Sequence, residues 1–297
     1  MKQNNAERLI IISIVGAIAF AVLGIVWGII AKSQMIQFDG YYSFISVILS
    51  FISMIALRFI KKEDPERFPF GKESFIPLTI VIKYFGILVL IVISLVQALA
   101  TLVTGGNEVA MSSGVIYAFI STVGCFIAYF YFRKYGKDSE LIAAEMNQWH
   151  MDALLSLGVF VGFIIGWGLA FTPLDFIVPF VDPLMVLLVA GYFIKVPLSE
   201  MYGALRELLE MAPEHVISQE VAGHVAELGN TYSFDSYDMR LQKMGSKLYI
   251  EIDYVVPQGN PIDIRTMDHI RYQLKERLQE LPLNLWTTIV FTHEKRG

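Results

Sequence analysis

Among 297 residues there is one cysteine and there are five histidines. A single thiol, Cys125, makes neither an intrachain disulfide framework nor a thiolate metal cluster of paired CxxC type. It lies inside an apolar run and is read as uninvolved, so any bound metal falls to oxygen and nitrogen ligands. Charge is equally scarce: 17% of residues are charged against 55% hydrophobic, which is not a soluble composition. The formal net charge of -5 carries no basic signal for nucleic acid. HExxH, GxSxG and phosphate-loop patterns are all absent, so nothing points to an enzyme.

What the chain has instead is long apolar runs. A helix needs roughly 20 such residues to cross about 30 Å of hydrocarbon. Six stretches qualify: Leu9 to Ala31, Gly40 to Leu57, Phe75 to Val103 with Lys83 inside it, Val109 to Phe132, one from before Asp152 to Phe171, and one from about Phe176 to Ile194 carrying Asp182-Pro183. The first lacks a small-residue cleavage site and reads as an anchor rather than a removed signal. Arg58, Lys61, Lys62, Arg67 and Lys72 follow the second span, and Arg133, Lys134 and Lys137 follow the fourth, whereas the odd connections hold only Lys32. Positive charge stays cytoplasmic, so both termini are expected on that side.

Beyond Lys195 the segment PLSEMYGALRELLEMAPE is helical by pattern and leads into a polar tail. The tail reads helix (His215 to Leu228), strand (Tyr237 to Gln242), strand (Leu248 to Val256), helix (Ile262 to Leu281) and strand (Trp286 to Phe291), with Met244-Gly245-Ser246 as the hairpin turn. That order suits a small αββαβ sandwich of ferredoxin-like type. Its modest core makes dimerisation a reasonable expectation.

Acids inside a bilayer are costly and by default mark a pathway or a paired site. Asp39, Tyr42, Ser43 and Ser46 recur at i, i+3, i+4, i+7, and Glu145, Gln148 and Asp152 at i, i+3, i+7, so each set lines one helical face. Antiparallel pairing of the faces brings Tyr42 level with Asp152 and Ser46 level with Gln148. Asp39 then lies a turn toward the outside and Glu145 a turn toward the cytoplasm. Carboxylate, hydroxyl and amide oxygens suit a hard or borderline divalent ion. The plainer reading makes Asp39 and Glu145 helix caps near the interfaces, leaving Asp152 alone deep. His150 points about 200° away from Asp152 and reads as a packing residue. Lys83 is too far from the charged loop to snorkel, so a carboxylate partner is expected, either at the site (Asp39 or Asp152) or in a structural ion pair away from it. In the tail, Asp238, Asp253, Asp268 and His293 read as solvated surface, and His215 and His224 do not make a zinc spacing.

These residues carry a resemblance over nearly the whole chain. SQMIQFDGYYSFISVILS resembles the SxALLADAxHSxSDxLS run of the cation diffusion facilitator, or cation efflux, family, and AEMNQWHMDALLSLGV resembles its ADAxHxxSDxLxSxGV run. FPFGKES is similar to the family's HPYGHGKAE loop, DPLMVLLVAGYFI to the start of its sixth span, and LRELLEMAPE to its linker. The resemblance implies a homodimer in the cell membrane that exports a divalent transition metal from the cytoplasm in exchange for protons, by alternating access. By position it places the transport site on Tyr42, Ser46, Gln148 and Asp152, where usual members have His or Asp, so three of four ligands are changed. Asp39 and Glu145 match acids one turn before those ligands and supply charge in their place. The loop lacks the His-Gly of the family and has Phe68 at a His position, which implies no loop metal site. Tyr237, Asp253 and Asp268, with the His293 region, stand where the cytoplasmic metal ligands are, while Lys72 and Glu210 match a pair that interlocks at the dimer interface.

The expectation is therefore an α-helical membrane protein with six transmembrane helices (1–200), a helical linker (201–212) and a cytoplasmic α+β ferredoxin-like domain (213–297). Its function is divalent metal efflux through an oxygen-rich site of Asp39, Tyr42, Ser46, Glu145, Gln148 and Asp152. The substrate is zinc, manganese, iron or cobalt; protons are the counter-substrate, the lipid bilayer is the surrounding partner, and no prosthetic group or nucleic acid is involved. The alternative is a transport-incompetent homologue acting as a regulatory or heterodimer subunit.

Overall fold

A computed structural model describes residues 2–135, 140–259, 261–281 and 283–294; within its helices the side chains of residues 2–10, 50, 53, 57, 61, 135, 140–145, 147 and 148 lie outside that description. Six of the described helical stretches are long and apolar enough to cross a membrane. They are carried by α1 (Lys2–Ala31), α2 (Gln34–Lys61), α3 (Phe75–Val103), α4 (Met111–Tyr135), α5 (Glu140–Leu169) and α6 (Val178–Phe193), the last preceded by a short 3-10 turn (Asp175–Ile177). Large apolar residues such as Val22, Ile30, Phe85, Val96 and Leu188 are exposed along these helices. In a hydrocarbon solvent that outward display is the stable one, because helices satisfy their own backbone and lipid covers the rest. The chain is a multi-pass membrane protein.

Contacts divide the chain into two compact units, Met1–Ile52 with Lys83–Leu198 and Ser53–Ile82 with Ser199–Gly297. The first is a helical bundle. Its α1 and α2 pack back to back through glycines: a Cβ on Gly24 would stand 2.8 Å from the Gly40 Cα, and one on Gly28 would stand 2.6 Å from the Gln37 amide nitrogen. Gly24 and Gly28 form a GxxxG face, the pattern that lets helix backbones meet where lipid offers no hydrophobic drive. Gln37 Nε2 donates to the Gly28 carbonyl at 3.1 Å across the same seam. Ser33 starts α2, its hydroxyl accepting from the Ile36 amide at 3.1 Å. The second span therefore begins six residues earlier than its apolar run, at Gln34. Pro183 sits inside α6, and a break at Ile194 separates α6 from α7 (Lys195–Leu208).

The second unit contains α8 (His215–Thr231), β1 (Ser236–Met244), β2 (Lys247–Val255), α9 (Ile264–Arg277) and β3 (Asn284–Thr292). The sheet order is β1-β2-β3, with β1 and β2 antiparallel and β2 and β3 parallel, α9 being the crossover. This is the expected αββαβ order. Leu248, Ile250, Ile252 and Tyr254 alternate into a core with Val221, Val225, Leu228, Ile270, Leu274 and Leu278. Tyr254 is fully buried and donates to the Val225 carbonyl at 2.9 Å, and burial pushes its phenol pKa up. Gly245 (φ +57) and Ser246 close the β1–β2 hairpin in two residues. Asp263 caps α9 by accepting from the Thr266 amide at 2.8 Å, which holds its carboxyl below the usual range.

The α2–α3 connection belongs to this unit. Phe59, Phe68 and Phe75 pack edge to face, and the Lys72 ammonium lies 4.1 Å from the Phe59 ring centroid while donating to the Lys62 carbonyl at 2.8 Å. Lys72, matched by resemblance to an interlocking residue, is thus buried within its own loop. The neighbouring Phe70 carbonyl accepts from Lys247 Nζ at 3.0 Å and Tyr249 Oη at 3.1 Å, and Lys247 pairs with Glu73 at 3.2 Å.

Candidate cation site

Asp39, Tyr42 and Ser46 occupy successive turns of α2, each half-buried. Asp39 is not a cap. It lies in the second turn, and its carboxylate accepts a 2.7 Å hydrogen bond from Tyr117 on α4. Tyr42 packs its ring against Phe38 and Phe193, 6.1 and 5.9 Å between centroids, and its phenol lies within electrostatic reach of Asp152 on α5. Asp39 lies a turn before Tyr42 along α2. Glu145 and Gln148 lie on α5, but their side chains fall outside the described residues.

Helix α4 contributes what the sequence reading missed. Ser113, Tyr117, Ser121 and Cys125 recur every four residues and so share one face. Trp27 Nε1 donates to Ser113 Oγ at 2.9 Å, Tyr117 donates to Asp39, and the Ser121 and Ser156 hydroxyls meet at 3.1 Å. Cys125 follows one turn beyond Ser121, buried, and lies within electrostatic reach of Asp152 and Asp39. Cys125 is therefore not remote from the candidate residues. The four-residue recurrence S-x3-Y-x3-S-x3-C was the available signal, hidden because each member is weakly polar and sits among apolar neighbours.

This ladder of side chains on α4 reaches Asp39 of α2 through Tyr117 and Ser156 of α5 through Ser121, and ends at Cys125. Among the described residues no group of three or more His, Cys, Asp or Glu is close enough to hold a metal ion.

The other candidates fall elsewhere. Among the described residues Lys83 forms no ion pair, and its ammonium lies 5.8 Å from the Tyr84 ring centroid. His150 stacks on Tyr129 with centroids 4.7 Å apart. In the second unit Asp253 is buried rather than solvated, opposite Asp238 in the β1–β2 register. Arg240 spans the group, 2.9 Å from Asp238, 3.6 Å from Glu251 and 3.8 Å from Asp253. Asp268 pairs instead with Arg271, and His293 Nδ1 lies 3.0 Å from the Val256 carbonyl.

Residues 10–209 match the description of the cation efflux transmembrane domain. The chain belongs to the cation efflux family. It is also 23% identical over 293 residues to an uncharacterized transporter of Methanocaldococcus jannaschii, covering 94% of this chain and 95% of that one. Membership of the cation efflux family places the protein with membrane transporters of divalent metal cations rather than with enzymes. Six spans followed by a three-stranded sheet with its crossover helix are the corresponding architecture.

Proposed function

We propose that the protein exports a divalent metal cation from the cytoplasm across the cell membrane in exchange for protons, by alternating access, working as a homodimer with both termini cytoplasmic. The carrying observation is the Asp39 carboxylate held inside the bundle by Tyr117 at 2.7 Å, one turn before Tyr42, whose phenol lies within electrostatic reach of Asp152 on α5. Asp39, Tyr42, Ser46, Glu145, Gln148 and Asp152 supply the oxygen and amide donors. Zinc, manganese, iron and cobalt fit that set better than copper(I). A carboxylate that holds metal in one state and a proton in another provides the exchange chemistry. Residues 1–200 form the transport domain, 201–212 the linker and 213–297 the cytoplasmic domain of this reading.

The test is flux in vesicles of purified protein under an imposed pH gradient, with zinc, manganese, iron(II) and cobalt offered separately. One of these ions is expected to move, and Asp152→Ala is expected to stop it. No movement of any of the four, or undiminished movement by Asp152→Ala, overturns the reading.

A second reading, a regulatory or heterodimer subunit that does not transport, is favoured by the replacement of three ligand positions with Tyr42, Ser46 and Gln148. Saturable metal binding by the isolated chain counts against it. Co-purification with an intact family member, without metal bound to this chain, supports it.

A further inference from the structure

The end of the bundle that carries the α1–α2, α3–α4 and α5–α6 connections is tied by one dipeptide, Asp182-Pro183 of α6. Asp182 has no exposed surface. Its carboxylate accepts from Ser33 Oγ at 2.6 Å, from the Gln34 amide at 2.7 Å and from the Met35 amide at 3.2 Å. The first-turn amides of α2 have no partner within their own helix, so α6 caps α2 from outside it. Pro183 completes the tie by what it lacks. With no N–H, it leaves the Pro179 carbonyl without its helical bond, and the Asn107 backbone amide takes that carbonyl at 2.8 Å. Gly106 lets the loop come this close: its φ is +92, and a Cβ there would stand 2.6 Å from the Pro179 Cβ. The Asn107 side chain donates in addition to the Lys32 carbonyl, and Gln34 Nε2 donates to Thr101 Oγ1 of α3 at 2.7 Å.

We propose that Asp182 is a gating and positioning residue: by capping α2 from α6 it latches this end of the bundle shut and sets the register of the α2 face that carries Asp39, Tyr42 and Ser46. The inference rests on the alternating-access reading above, which places this end outside. Every member of the latch is a hydrogen bond between different helices or connections, so it opens without unfolding any helix. Release frees α2 at its first turn, five residues before Asp39, and admits water toward the α4 ladder. Asp182 touches no transported ion in this arrangement. It acts through α2.

Cys125 is the chain's single thiol and lies at the inner end of the ladder, so it reports access without further engineering. Full-length protein in vesicles of each orientation is treated with a membrane-impermeant thiol reagent added from one face at a time. Asp182→Ala is expected to raise the labelling rate of Cys125 from the latch face by about tenfold or more, with the opposite-face rate unchanged within about twofold. Ser33→Ala, which removes one of the bonds and leaves the amides capped, is expected to give a smaller rise from the same face. A merely structural role would instead raise labelling equally from both faces. That result, or unchanged labelling in variants that elute and melt like wild type, overturns the proposal. If Asp182→Ala does not fold, Ser33→Ala and Asn107→Ala carry the test on the same readout. Labelling needs no transport, so a wild-type chain that moves no cation refutes the transport reading while the latch is still read directly.

Discussion

The Tyr117 hydroxyl donates a 2.7 Å hydrogen bond to the Asp39 carboxylate across 78 positions of the chain, joining α4 to α2. Near this bond α1 crosses α2 at Gly24 and Gly40, and a Cβ on Gly24 would stand 2.8 Å from the Tyr117 hydroxyl. A tyrosine reaching a carboxylate through a seam this tight fixes the carboxylate's direction. Tyr117→Phe removes the donor and leaves the ring. The expected result is a stability loss on the order of 1 kcal/mol, as interhelical hydrogen bonds in membranes give, and an apparent KM for the transported cation raised by about two- to tenfold. Asp39→Asn in the Tyr117→Phe background is expected to add less than it does alone, since the two changes break one interaction. Additive effects on melting and on KM would show that the pair is not coupled.

The GxxxG face of α1 makes a second, independent demand. Gly28 has no room for a methyl group beside Gln37, where the nearest obstruction is backbone rather than a movable side chain. Gly28→Ala is expected to destabilise the bundle by about 1–3 kcal/mol through overpacking, read as a lower melting midpoint in detergent. Ala substitution at Gly158, which meets nothing within 4 Å, is the matched control and is expected to leave the midpoint unchanged or slightly raised.

Much of this architecture was legible because the bilayer imposes it. Apolar runs near 20 residues mark the spans, and period-two alternation from Leu248 to Tyr254 marks a strand whose neighbours then follow. Asp39 and Asp152 stood out for the same reason, since acids are conspicuous in hydrocarbon. Tyr117 did not, because an aromatic in an apolar run reads as packing, and Ser121 and Ser156 did not, because a serine hydroxyl in an apolar helix satisfies itself on its own backbone as readily as on a partner. Only the packing of α4 against α2 and α5 distinguishes the two. Asp182 was conspicuous but mute: its role depends on the first turn of α2 beginning at Gln34, ahead of the apolar run that defined the span. Lys83 shows the converse, a costly residue whose ammonium lies near a ring and in no ion pair among the described residues.

Arg240 carries the last prediction. Asp253 is 3% exposed, and its carboxylate oxygens have no hydrogen-bond donor among the described residues. Its nearest cation is Arg240 at 3.8 Å, which also reaches Asp238 and Glu251. One half-exposed guanidinium thus serves three acids on one face of the sheet. Arg240→Ala leaves a buried charge beside two like charges, and the expected loss is about 1–3 kcal/mol, below that of a fully buried pair because Arg240 itself meets solvent. Adding Asp253→Asn to Arg240→Ala is expected to recover most of the loss by removing the stranded charge, whereas adding Asp268→Asn, whose partner is Arg271, is expected to recover none. Melting midpoints of the full chain at neutral pH decide it: equal midpoints for wild type and Arg240→Ala mean that Asp253 does not depend on this cation.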